Sequence, residues 1–335
     1  MKKNISYLIT LLFISLTACE NEIPFNIKDN SSKLIINALI NADSVRNIVY
    51  LNFSGKSQLS NVKDATVNVY VNNVLIETAQ PINEQNESIV QSTYLITSAF
   101  HPGDVIRIDA KADANGSTYN AWAEVIVPQR PQIVSVDTCS IMLKTSNGFN
   151  DHMRYKIRIK DRENETNFYR IILEQQTSLN VTQYYNNQDT TTISKSYYMV
   201  TREDVVLTDG HPMTSDDEDN SLFEETRNIY NVFDDGRFTN KEYTMTIYGS
   251  SLKETWLSYE NVNQAQVDVT VRLLSITEVE YYYLKALNII DSDTYIEGIN
   301  EPIKIPSNVQ GGIGFVGVSA EHRYLLHLPV QTFHQ

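Results

Sequence analysis

Cysteine is almost missing from this chain: Cys19 and Cys139 are the only two among 335 residues. If Cys19 is modified, as argued below, no intramolecular disulfide can form, and packing has to hold the fold. Basic residues are scarce as well, with 27 Lys and Arg against 41 Asp and Glu and a formal net charge of −14. Such a surface repels phosphate backbones and anionic headgroups, which argues against nucleic acid as a partner. Beyond the first 18 residues no apolar window approaches the roughly 20 residues needed to cross a bilayer. There is no His-Glu-x-x-His and no Cys/His pairing among His101, His152, His211, His322, His327 and His334, so zinc chemistry has no scaffold. A Gly-x-Ser-x-Gly elbow is also absent, which removes the most readable serine nucleophile. No repeat of about 20 to 50 residues is evident, and low complexity is confined to short Asn/Thr and Asp runs.

What is present begins at the N-terminus. Lys2 and Lys3 precede an apolar stretch from Ile5 to Leu16, which runs into Leu16-Thr17-Ala18-Cys19. A basic n-region, a short apolar core and two small residues before a cysteine make a secretory signal that ends in a lipobox. Small residues let the peptidase fit the backbone, and the thiol becomes the thioether that carries diacylglycerol. Residues 1–18 are therefore expected to be removed, and Cys19 to be lipidated. Two or three acyl chains at about 0.8 kcal/mol per buried CH₂ anchor a protein almost irreversibly without a transmembrane helix. Cleavage removes two lysines and no acid, taking the net charge from −14 to −16.

Residues 19–33 are polar on balance and read as a tether. Residues 34–128 look like a small antiparallel β-sandwich. Leu34 to Ile40 is an apolar run of strand length, and Thr66 to Val71 alternates with period two. Asn72-Asn73 stands before Val74-Leu75-Ile76, where two residues able to take positive φ favour a tight hairpin. Further strands are expected from Val105 to Ala110 and from Ala121 to Val127. Pro128-Gln129-Arg130-Pro131-Gln132 is the best linker candidate, since two prolines disfavour helix and withhold ladder donors. The remainder, 129–335, reads as a larger β-rich domain with strands at Tyr155–Ile159, Phe168–Leu173, Tyr243–Tyr248 and Val267–Leu274. One helix is expected near 278–291. Thr277 to Glu280 fits a capping box, and Val279, Tyr282, Tyr283, Ala286, Leu287 and Ile290 make an apolar stripe at helical spacing.

Several motifs invite function and are better explained without it. Gly312-Ile313-Gly314-Phe315-Val316-Gly317 matches the dinucleotide fingerprint, but that mechanism needs a helix starting inside it and an acid placed for the ribose. Here Phe315 to Val318 reads as strand, so the glycines are expected to allow a bulge or close backbone approach. Asp216-Asp217-Glu218-Asp219 and Asp234-Asp235 could offer oxygens to calcium, yet the first group lacks ligand spacing and a turn glycine. Cys139 suits a small core residue, and the carboxylates are too many to single out a catalytic pair. The 20 Tyr, 11 Phe and 2 Trp suit either a recognition surface or a β-rich core. No cofactor, metal site or catalytic residue is expected.

Several stretches together resemble a Bacteroidota family of outer-membrane lipoproteins known only as domain of unknown function number four-two-four-nine. They are Cys19 with Ile23-Pro24-Phe25, Phe100 to Asp104, Ala121 to Pro128, Asn167 to Arg170, Phe233 to Phe238, Tyr281 to Leu284, Glu301 to Ile303 and Ser307 to Phe315. Asn240 departs from the glycine expected after the Phe-Asp-Asp stretch, although asparagine tolerates left-handed geometry. The resemblance implies an outer-membrane lipoprotein, on the cell surface or the periplasmic face, encoded beside a TonB-dependent transporter and carrying no established activity. It also implies that Glu20 and Glu22 act as an export signal. The expected function is thus a binding or accessory component of TonB-dependent transport, not an enzyme. The alternative is an adhesin or fimbrial subunit, weakened because no arginine stands between Cys19 and Arg46; an uncharacterised enzyme comes third.

Overall fold

Alternation of buried and less buried side chains runs through many of the longer strands, as in β8, where Ile106, Ile108, Ala110 and Ala112 turn inward. The computed structural model describes residues 32–54, 60–62, 65–82, 92–114, 116–145, 148–182, 189–211, 228–250, 262–292, 295, 302–329 and 331–332. The signal segment, Cys19, Glu20, Glu22 and Asp216 to Asp219 lie outside them. The strands are β1 Leu34–Asn41, β2 Asn47–Phe53, β3 Ser60–Asn61, β4 Ala65–Val71, β5 Val74–Thr78, β6 Gln80–Ile82, β7 Ser92–Ile96, β8 Val105–Ala114 and β9 Ser117–Ile126. They continue as β10 Gln132–Thr145, β11 Gly148–Lys160, β12 Phe168–Thr182, β13 Asp189–Ser196, β14 Val232–Asp234, β15 Glu242–Gly249, β16 Val262–Ile276, β17 Ile313–His327 and β18 Gln331–Thr332. The helix among the described residues, α1, spans Glu278–Ile290. The fold is therefore mainly β, built as two sandwich-like halves with a helix in the later part.

One long sheet runs β13-β12-β16-β17-β1-β2-β7-β6, and two smaller sheets, β5-β4-β8-β9 and β10-β11-β15, pack on it. The first core joins Leu34, Ile36, Val49 and Leu51 to Val67, Ile106, Ile108 and Ala123. The second joins Tyr155, Ile157 and Ile247 to Ile171, Val269 and Val271. Residues Lys33–Gln335 form a single compact unit. The reason is β17. Its even-numbered side chains share one face, with Val316, Val318 and Ala320 in the first core and Tyr324 and Leu326 against the second. The strand pairs parallel with β1 from Ile35/Ile313 to Asn41/Ser319, then antiparallel with β16 from Ser319 to His327.

Tight backbone approach explains the glycines before and within β17. A Cβ on Gly312 would sit 2.3 Å from the Leu34 carbonyl oxygen, and one on Gly314, at φ +108, would sit 2.1 Å from that of Ile36. The fingerprint motif is thus a strand entry wedged between β1 and β9. The Asn308 side chain exchanges two hydrogen bonds with the Val316 backbone, both at 2.9 Å, where β16 has not yet joined. The β4–β5 hairpin turns on Asn72 at φ 50 and Asn73 at φ 66.

Helix α1 starts where the sequence puts it, but two of its details differ. Thr277 makes no side-chain cap. Its hydroxyl instead accepts from the Val318 amide at 3.4 Å, prolonging the β17 edge. Glu280 does not reach back as a capping box requires and is buried under the helix. The buried face is also rotated from the expected stripe: Glu280, Tyr281, Leu284, Ala286 and Asn288 are inside, while Tyr282 is half exposed. Two polar residues take inward positions because the sheet and a neighbouring loop supply partners. Arg170 offers charge to Glu280, and Asn288 Oδ1 accepts from the Tyr230 amide at 2.9 Å.

Candidate ligand cleft

Where Pro128 and Gln129 cross from one half to the other, a cleft of about 870 Å³ opens beside the start of α1. One wall is Gly103, Ile126, Val127 and Pro128 at the ends of the first sandwich; the opposite wall is the loop from Arg162 to Phe168 and the turn from Asp234 to Thr239. Ile276, Glu278 and Tyr282 close the end. Strand register sets this arrangement. Phe168 stands opposite Asp234 on one side and Ile276 on the other, so the ends of β12, β14 and β16 reach the cleft together.

Beneath the polar wall lies a buried network. Asp161, Asn167 and Asp235 are each 3% exposed or less. Asp235 Oδ2 accepts from the Asn167 backbone amide at 2.9 Å and from its side-chain nitrogen at 3.1 Å. Asp161 accepts from Tyr169 OH at 2.8 Å, from the Asn240 amide at 2.8 Å and from Asn167 Nδ2 at 3.2 Å. Asn240 holds φ at +61, so the asparagine does take the left-handed geometry that glycine favours. These bonds tie the β11–β12 loop to the β14–β15 turn, and buried polar groups this well connected fix loop positions. Burial raises the Asp235 carboxyl above its ordinary range, with Asp161 and Asp234 adding like charge.

The cleft's electrostatics are uneven. Arg162 is held by the protein: its Nε meets Glu165 at 2.5 Å, and its Nη1 donates to Ser275 Oγ at 2.8 Å and to the Gln129 carbonyl at 3.1 Å. Asp234 accepts from the Gly236 amide at 2.9 Å and from Tyr281 OH at 3.1 Å. Phe168, Tyr281 and Tyr282 cluster with ring centroids 4.7 to 6.1 Å apart, and Ile126 is 62% exposed. At the back of the seam the Ile133 amide donates to His322 Nδ1 at 2.9 Å, which fixes the proton of the neutral ring on Nε2.

Of the acids singled out in sequence, Asp234 and Asp235 line this cleft. Two stretches that carry the resemblance, Asn167 to Arg170 and Phe233 to Phe238, meet as paired strands β12 and β14, and Tyr281 to Leu284 packs beside them. Nothing in the spacing of Arg162, Glu165 or Glu278 marks them in sequence as cleft residues among the other charges. Cys139 is half-buried and free on β10. Among the described residues no group of three His, Cys, Asp or Glu could hold a metal ion, and no helix is long and apolar enough to cross a membrane.

Residues 33–335 are thus a mainly β body of two sandwich-like halves that share a sheet, with a mixed polar and apolar cleft at their seam. The chain belongs to the DUF4249 family, described as a domain of unknown function, whose profile matches residues 20–324. No curated protein matches it. One similar solved structure is a DUF4785 family protein from Legionella pneumophila, at 6% identity and a TM-score of 0.24, covering 72% of this chain and 52% of that one. This chain thus spans about half of that protein's length, and a likeness so slight carries no argument.

Proposed function

We propose that this chain is a lipid-anchored binding protein of a bacterial outer membrane, of Bacteroidota type, that serves a TonB-dependent transporter by holding a small ligand at its seam. The observation that carries the reading is the cleft itself. Its volume falls in the range of roughly 300–1,000 Å³ usual for small-molecule sites, and it joins an apolar wall to a few fixed polar groups. Anchoring follows from Leu16-Thr17-Ala18-Cys19, and the family match beginning at residue 20 supports a mature chain that starts at Cys19. Glu20 and Glu22 are proposed to direct export. Binding ranks ahead of catalysis because the carboxyls of Asp234 and Asp235 are tied by hydrogen bonds to Gly236, Tyr281 and Asn167, and the lining sets no Ser, Cys, His or Lys beside them. The fimbrial alternative gains nothing from β1, a central strand whose Leu34, Ile36, Ala38 and Ile40 are all 1% exposed or less.

Mass spectrometry of the mature N-terminus should find an acylated Cys19, and Cys19→Ser should release the protein from membranes. Gentle detergent extraction and affinity purification from the native host should recover a TonB-dependent transporter. An unmodified N-terminus elsewhere would defeat the anchoring. Recovery of no transporter, with filament assembly or substrate turnover instead, would defeat the transport role.

A further inference from the structure

We propose that the cleft selects an organic cation, an ammonium or guanidinium group carried on an apolar body. The inference rests on reading the cleft as a ligand site and names the chemistry of what it holds. Three observations converge.

First, the cleft's one cation is already spent. Arg162 Nε meets Glu165 and its Nη1 donates to Ser275 and the Gln129 carbonyl, so its charge is paired within the protein and these donors are spent there. The positive end of α1, which would otherwise favour an anion, already carries the exposed carboxylate of Glu278 in its first turn.

Second, acceptors remain open. Asp235 is 3% exposed, and its Oδ2 takes both bonds from Asn167 while its other oxygen has no partner among the described residues. The two bonds from Asn167 hold this carboxyl in place at the cleft wall. Glu278, exposed at the cleft's end, also makes no hydrogen bond among the described residues, and Asp234 adds a third negative group. A carboxylate held at the wall with an acceptor open to the cleft is matched by a cationic donor, which answers both its charge and its lone pair. A neutral hydroxyl would answer only the lone pair, and an anion would add repulsion.

Third, Tyr282 is 50% exposed and Ile126 62% exposed, so the opening presents an aromatic face and an aliphatic one. The aromatic face suits a cation, and both suit an apolar body.

The test uses the full chain in detergent and isothermal titration with benzamidine and with the blocked dipeptide acetyl-Phe-Arg-amide. Benzoate and acetyl-Phe-Glu-amide serve as anionic counterparts. Both cations should bind one to one, and at least tenfold tighter than their counterparts. Tighter binding of the dipeptide would assign peptides as the source of the cation; tighter binding of benzamidine would assign a small free cation. Glu278→Gln, at an exposed position, should weaken the cations several-fold with the melting temperature unchanged, Tyr282→Ala should weaken them several-fold while lowering the melting temperature by the loss of its packing on Phe168 and Tyr281, and Asp235→Asn should weaken them most. Equal binding of cations and anions, or no binding of either cation, would overturn the proposal. The transporter capture above can fail with this selectivity intact, and the selectivity can fail with the capture intact, so the two readings are separable.

Discussion

Glu280 is a carboxyl that the fold tolerates at a cost. It is 3% exposed, its Oε2 lacks a partner, and Arg170 is the cation that offsets it. Burial pushes its pKa from 4.5 up to about 8. Because the folded value lies above the unfolded one, the folded state keeps the proton longer, and stability is full below about pH 4.5 and declines as pH rises towards 8. Asp235, raised in the same direction, adds to the acid side of that decline. Glu280→Gln should therefore flatten the fall in stability between pH 5 and 8, with the gap to the parent growing to on the order of 4 kcal/mol. Parallel curves for the two proteins would show that Glu280 does not titrate in this window. Sequence could not have found this group. Its place three residues after Thr277 fits a capping box, and only the register of β12 shows that Arg170 waits beneath the helix.

At the scale of elements, local pattern carried the strands and the helix, because period-two alternation and the Asn72-Asn73 turn are local physics. The parallel pairing of β1 with β17 was not legible, since about 280 residues separate the partners and no alternation encodes a distant neighbour. The candidate site was half legible for the same reason. Asp234 and Asp235 stood out as a pair, but Arg162, Glu278 and Tyr282 reach the cleft only through tertiary placement, and the helix stripe pointed Tyr282 inward. The glycines of β17 turn that pairing into a measurable quantity. Gly314→Ala places a Cβ 2.1 Å from the Ile36 carbonyl at φ +108, so the β1–β17 ladder must shift, and a loss of about 3 kcal/mol or more is expected. Gly116→Ala is the control: φ is +76 but nothing lies within 4 Å, so only about 1 kcal/mol should be lost. Urea unfolding of both variants checks the ordering, and equal losses would mean that close approach to β1 contributes nothing.

For the molecule as a whole, the Pro128 to Gln132 segment separates the first core from the second in sequence, with β17 returning to serve both. Without that return the first half would lack Val309, Val316, Val318 and Ala320 from its core, and β1 would expose the edge that pairs from Ile35 to Asn41. An apolar edge of that length is a poor surface to leave in water and a good template for aggregation. Residues 33–128 made alone should accordingly show no cooperative unfolding, and adding residues 129–335 in trans should restore it. A specific protease site placed within Pro128 to Gln132 should be cut without parting the two pieces, which should co-migrate on size exclusion until denaturant is added. Cooperative folding of 33–128 alone, or separation of the pieces on cleavage, would show that the strand shared between the cores is dispensable. The cleft adds a sharper readout, because its two walls come from opposite sides of the cut and are held in place by β17 and by Arg162 reaching the Gln129 carbonyl. If the shared strand sets that geometry, the cut protein should keep the cation selectivity of the intact chain while losing it, together with its fold, at a lower urea concentration.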